Sequence, residues 1–272
     1  MTDWVSGFAQ SGEERIYWES AGDGVPIVFC HGAGSCHLSF YKQVAGIASD
    51  RRRTITWDQR GYCNSTLTSG EMGISVSAED LTNVLQAVGL SDKPLHLVGQ
   101  AMGALVAAHW AIGHPERVLS LALWDGPFAV SEDRRFLTWG LPPNDAGVQA
   151  TRLNRVVGHV RGVGADFRER DRAGTFLYQS LQVLGTDQPT YVDSFAAASA
   201  EPVPLELLGA LEAPVLIGRG EFDHVADAVS YEQLVDLLPN ARLVVLGGCG
   251  HSPYFEEPDR WNDAMLAHLA TA

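Results

Sequence analysis

Short, unbroken apolar runs recur along this chain at helix-length intervals. Residues 26–31, 54–57, 94–98, 118–124, 214–218 and 242–246 each read as a strand hidden on both faces. Strands that are apolar throughout, rather than alternating, belong to sheets covered on both sides, and such sheets are mainly parallel. Residues 16–19 add an earlier strand. The intervening segments carry helical spacing. One that opens near Ser77 places Leu81, Val84, Leu85 and Val88 on a single stripe, and helices over 229–238 and 261–269 close the chain. The pattern predicts an α/β fold, with a mostly parallel sheet flanked by helices.

The rhythm breaks between residues 126 and 206. This stretch lacks clear buried strands and reads as helical, punctuated by Pro142-Pro143 and by Pro202 and Pro204. It carries eight arginines and no lysine, read here as a solvated helical face. We read residues 128–206 as a helical cap inserted after the sixth strand. Residues 1–127 and 207–272 then form the core, and the cap lies over the carboxyl edge of the sheet, where open α/β folds bind ligands.

A formal charge of −14 argues against nucleic acid and anionic membranes as partners, since both would repel the chain. No basic leader followed by an apolar stretch opens the sequence, and no apolar run approaches bilayer length, so the expectation is a cytoplasmic protein. Cys30, Cys36, Cys63 and Cys249 lie far apart without C-x-x-C spacing, which reads as reduced thiols rather than a zinc site or disulfide scaffold. No H-x-x-x-H or H-E-x-x-H occurs, so no metal is expected. Gly32-Ala33-Gly34 lacks the third glycine of a dinucleotide fingerprint, and no cofactor is expected.

Four motifs follow the strands in order. His31-Gly32-Ala33-Gly34 comes first, then Asp58-Gln59-Arg60-Gly61-Tyr62-Cys63-Asn64-Ser65. Gly99-Gln100-Ala101-Met102-Gly103 is third, between a strand and a helix. Gly220-Glu221-Phe222-Asp223 and Gly250-His251-Ser252-Pro253 make a late pair. Together they resemble the α/β-hydrolase superfamily, in particular its small capped esterases, enol-lactonases and carbon–carbon bond hydrolases. The resemblance implies an eight-stranded sheet. It departs from the family at two places: Cys63 stands where the second motif has glycine, and Ala101 stands where the third has a nucleophilic serine.

The resemblance also implies roles. His251 is the base, and Asp223 is the carboxylate that orients it, with Asp125 as the alternative acid and Glu221 a third choice. The N–H groups of Ala33 and Met102 form the oxyanion hole. Asp58 and Arg60 fix loops. Gly32, Trp124, Phe128, Phe136, Trp139 and Tyr254 are expected to line a pocket for a small substrate with a hydrophobic or aromatic portion. Trp57 is a further aromatic candidate. Oligomeric state stays open, a homodimer included.

Ala101 has no Oγ, so three readings stand side by side. The leading one is a Ser-to-Ala inactive variant of an ester or lactone hydrolase, because that exchange removes one oxygen and keeps the rest of the machinery. The second is an enzyme that uses His251 as a general base without a nucleophile, in elimination, cyclisation or cofactor-free oxygenation. The third is a non-catalytic small-molecule binding protein.

Overall fold

The sheet begins with a hairpin that carries no unbroken apolar run. The computed structural model describes residues 4–139, 162–186, 188–225 and 228–272. In it β1 (Trp4–Ser11) and β2 (Glu14–Ala21) pair antiparallel across a turn at Gly12, where φ is +56°. Trp4, Val5 and Phe8 are exposed, as befits an edge strand with one wet face.

Parallel order follows. β3 (Val25–Cys30) lies between β4 (Arg52–Trp57) and β5 (Leu95–Gln100), and β6 (Val118–Trp124) pairs with β5. Three short strands, β7 (Phe128–Val130), β8 (Phe136–Trp139) and β9 (Val203–Pro204), form a separate antiparallel sheet. The main sheet resumes with β10 (Val215–Gly220) and β11 (Ala241–Leu246), giving the order β1-β2-β4-β3-β5-β6-β10-β11. β11 is the far edge, and Leu243 and Val245 are exposed on it, whereas its sequence suggests burial on both faces.

Helices cover both faces, as the apolar strands demand. α1 (Tyr41–Ile47), α2 (Ile74–Ala87) and α3 (Met102–Gly113) lie in the first half. α3 is buried along almost its whole length, from Met102 to Trp110 except His109, and joins α2 in the larger apolar cluster. Residues of 128–206 form α4 (Ala165–Arg170), α5 (Arg172–Gly185) and α6 (Gln188–Ser199), together with β7–β9. Strands of two to four residues leave too little periodicity to read, so the sequence of 128–206 looks only helical. Pro142-Pro143 lies outside the described residues. α7 (Leu205–Gly209), α8 (Ala228–Leu237), α9 (Pro253–Glu256) and α10 (Pro258–Leu269) complete the core. Among the described residues no helix is long and apolar enough to cross a membrane.

Candidate active site

Ala101 sits between the last residue of β5 and the first of α3, with φ 50° and ψ −120°. An L-residue is strained there, by about 1–3 kcal/mol. The turn is stapled from both sides. The Ala101 N–H donates to Trp124 O at 2.9 Å, and the Ala101 carbonyl accepts from the Ala104 N–H at 3.0 Å. The flanking glycines are steric necessities: a Cβ at Gly99 would run into the Gly103 carbonyl, and one at Gly103 into the Cys30 carbonyl. This strand–turn–helix is the geometry of a nucleophile elbow.

The loop after β3 closes on the same point. A Cβ on Gly32 would lie 2.8 Å from the Ala101 Cβ and 2.5 Å from Gln100 Oε1, so only glycine lets the loop approach. His31 anchors it from beneath. Its Nδ1–H donates to Gly32 O at 2.9 Å, and its Nε2 accepts from the Gln59 N–H at 3.0 Å. That pairing requires a neutral imidazole, and burial holds the His31 pKa down at about 4. The Ala33 N–H lies in this loop. Met102 is the first residue of α3, so its N–H has no intrahelical acceptor.

His251 follows β11, and its Nδ1 meets both oxygens of Asp223 at 3.0 Å. Asp223 follows β10 and also accepts from the Val225 N–H at 2.7 Å. Both residues are buried. Asp125, the competing acid, does not hydrogen-bond His251. Its Oδ1 accepts from the Gly220 N–H at 2.8 Å, tying the end of β6 to β10, and its Oδ2 is buried without a partner. Burial, and then the neighbouring Asp223 charge, push the Asp125 carboxyl well above the usual carboxylate range.

Further residues hold this arrangement together without having been signalled by the motifs. The Gln100 amide donates to His251 O at 3.1 Å, linking the elbow to the histidine loop. Buried Glu256 accepts from the N–H groups of Gly250 at 3.0 Å, Ser252 at 3.3 Å and Gly164 at 2.9 Å. It therefore clamps both sides of His251 and joins them to Gly164, just before α4. Tyr178 on α5 pairs its hydroxyl with Ser252 Oγ at 2.8 Å.

The aromatic residues expected around a pocket are mostly buried. Trp124 is fully buried in the core, with its ring 5.3 Å from that of Trp261 and its Nε1–H directed at Met265 Sδ. Phe128 packs edge-on to Tyr231 at 5.6 Å, and Tyr254 packs against Phe40 at 5.1 Å. All three rings pack against other aromatic rings. Trp57 is likewise fully buried. Phe136 is half-buried under the Arg135 guanidinium. The Trp139 side chain lies outside the described residues. Gly32 is placed directly against the Ala101 side chain. Asp58 and Arg60 do fix loops: Asp58 accepts from the backbone N–H groups of His37 and Asn64, and Arg60 forms a two-pronged pair with Asp80 at 2.6 and 2.7 Å.

Among the described residues, two groups of side chains gather donor atoms within 4.8 Å of one another: Asp125, Asp223 and His251, and Cys36, His37, Asp58 and Cys63. In each the histidine Nδ1 already meets a carboxylate oxygen, at 3.0 and 2.8 Å. A cation bound by both atoms at ordinary zinc distances of about 2.0–2.2 Å would displace that hydrogen bond.

Residues 25–258 match the model of the alpha/beta hydrolase fold family. The chain belongs to that family. It is 26% identical over 278 residues to a 2-hydroxy-6-oxononadienedioate/2-hydroxy-6-oxononatrienedioate hydrolase of Paraburkholderia phymatum, covering 94% of this chain and 91% of that one. A protein described as carbamate hydrolase RutD, from Azorhizobium caulinodans, is 32% identical over 119 residues, which span only 44% of either chain. The enol-lactonase of Burkholderia xenovorans LB400 superposes with a TM-score of 0.81 at 19% identity, covering 97% of this chain and all of that one, a likeness of fold.

Proposed function

We propose that this chain is built on the catalytic frame of a serine-type hydrolase for an ester or lactone with a hydrophobic or aromatic portion. Ala101 occupies the nucleophile position, His251 is the base, and Asp223 orients it. The Ala33 and Met102 N–H groups stabilise the oxyanion. The observation that carries this reading is the backbone of Ala101: φ 50° and ψ −120° held between glycines that permit nothing larger. A chain with no use for the elbow would relax that strain with glycine.

With serine at 101, Oγ would attack the substrate carbonyl while His251 Nε2 takes its proton. The leaving alcohol or ring oxygen would then take that proton from His251, and water would repeat the sequence on the acyl-enzyme. With alanine, acyl transfer loses its nucleophile, a loss of about 10⁶ in kcat in comparable triads. The Ala101 chain then retains substrate without cleaving it. The test is Ala101→Ser: the variant should hydrolyse activated aryl esters and take a fluorophosphonate label, both abolished by a further His251→Ala exchange. No label and no turnover would refute the reading.

A second reading draws on the intact His251–Asp223 pair. With Nδ1 held by the carboxylate, Nε2 can act as a general base on an acidic substrate proton. It requires the unaltered Ala101 chain to turn over substrate and to lose that activity on His251→Ala. Soaking the Ala101 chain with aryl esters and lactones distinguishes the two, because intact ligand beside Ala101 supports the first.

A further inference from the structure

A second cluster of reactive side chains lies outside the machinery described above, and it contains the other departure from the family motif. Cys63 stands where that motif has glycine, and its φ is +44°, in the region that favours glycine. A side chain there costs about 1 kcal/mol. The thiol so placed meets Cys36, from the loop that continues out of His31-Gly32-Ala33-Gly34. The two residues are remote in sequence, which is why cysteine spacing alone gave no sign of them. Cys36 is fully buried and Cys63 partly exposed, and both are free thiols. Their sulfurs lie within 4.8 Å of each other and of the His37 and Asp58 ligand atoms.

The surroundings favour a thiolate. His37 Nδ1 lies 2.8 Å from Asp58 Oδ1 and its Nε2 3.2 Å from Glu19 Oε1, so both ring nitrogens face carboxylates and both carry hydrogen. Tyr17 packs edge-on to the ring at 5.0 Å. Burial opposes the charge, but the hydrogen bonds to Asp58, Cys63 and Glu19 outweigh it and hold the His37 pKa up at about 11. The neighbouring Cys36 and, against burial and the Asp58 charge, His37 bring Cys63 down to about 6, while Cys36, paired with Cys63 and buried, goes up. An accessible low-pKa thiol beside a buried partner is the arrangement of an attacking and a resolving cysteine. The pair also sits against the cap: the Cys63 N–H donates to Gly185 O at the end of α5, at 2.6 Å.

We propose that Cys63 and Cys36 are a peroxide-reactive dithiol that closes reversibly to a disulfide. The Cys63 thiolate attacks one oxygen of a hydroperoxide, the O–O bond breaks, and hydroxide (or alkoxide) leaves and is protonated. Cys63 is now a sulfenic acid. The Cys36 sulfur attacks the Cys63 sulfur, the S–O bond breaks, and the departing hydroxide takes the Cys36 proton as water. Two thiols are oxidised to one disulfide, and one peroxide is reduced to two waters, or to water and an alcohol.

The experiment treats the full chain with hydrogen peroxide and maps its peptides without reduction. The expected product is a Cys36–Cys63 cross-linked peptide that dithiothreitol reverses. Cys36→Ser should leave a dimedone-trappable sulfenic acid on Cys63, and Cys63→Gly, which also removes the φ strain, should fold and form no cross-link. Iodoacetamide should label Cys63 before the other cysteines, with a rate that rises through pH 6. Labelling of Cys63 only above pH 8, or peroxide oxidation with no Cys36–Cys63 peptide, would overturn the proposal. So would a stoichiometric divalent metal in the purified chain that is released on alkylation of these two thiols.

Discussion

Replacing Ala101 with glycine tests whether the elbow is strained in the way the functional reading requires. Alanine to glycine normally destabilises. Losing the methyl of a residue only 9% exposed gives up about 0.8 kcal/mol of burial. The greater freedom of glycine in the unfolded chain costs a further 0.5–1 kcal/mol or so. At φ 50°, ψ −120° glycine is unstrained, and the relief, about 1–3 kcal/mol, has the opposite sign. The net change for Ala101→Gly should therefore lie between about 1 kcal/mol of destabilisation and about 2 kcal/mol of stabilisation. Ala107 provides the control. It is fully buried in the middle of α3, where no strain exists to be relieved, and Ala107→Gly should cost about 2 kcal/mol through lost helix propensity and lost burial. Urea unfolding of the two variants, read as midpoints at unchanged m, measures the contrast. If Ala101→Gly is as damaging as Ala107→Gly, the elbow holds no such strain and the reasoning from it fails.

Three further outcomes follow from the geometry. In an Ala101→Ser background, Asp223→Asn should lower kcat by about 10³–10⁴, because His251 loses the partner that fixes its tautomer, whereas Asp125→Asn should change kcat less than tenfold. Steady-state kinetics on an aryl ester decides between the two carboxylates. Glu14 is buried in the β1–β2 hairpin, and there the N–H groups of Ser69 and Thr68 and the Thr66 hydroxyl outweigh burial and hold its pKa at about 2, against 4.5 ordinarily. Its stabilisation is fully present above pH 4.5 and is lost as pH falls through 2, so Glu14→Gln should cost about 2–3 kcal/mol at pH 7 and progressively less below pH 4.5, seen in melts across that range. Glu256→Ala should unpin both sides of His251, reducing kcat in the Ala101→Ser background about tenfold or more while leaving the fluorophosphonate adduct detectable by mass.

The parallel core was legible because burial on both faces writes itself into a strand as an unbroken apolar run, as in residues 26–30 and 118–124. β1 was not, since an edge hairpin with one wet face has no such run, and β7–β9 are too short to show a period. The elbow, the glycine-rich loop and the His251–Asp223 pair could be located because each motif follows a strand end and the strand order brings those ends together. Asp223 and Asp125 both follow strands that lie side by side, and it is Asp223, the residue preferred from the motif order, that meets His251 Nδ1. Glu256 and Gln100 act through backbone groups, which leave no residue-type pattern. Trp124, Phe128 and Tyr254 are buried among other aromatic rings, and composition does not tell a ring that lines a cavity from one that fills a core. Cys36 and Cys63 were missed because their meeting is made by the crossing of two loops, not by spacing.

The central claim is that Ala101 stands in the nucleophile position of an otherwise assembled hydrolase. Labelling of the Ala101→Ser chain by a fluorophosphonate, read by intact mass, tests it most directly. One stoichiometric adduct should form on residue 101 and require His251, with none on the unaltered chain. A folded Ala101→Ser chain that takes no label would contradict it.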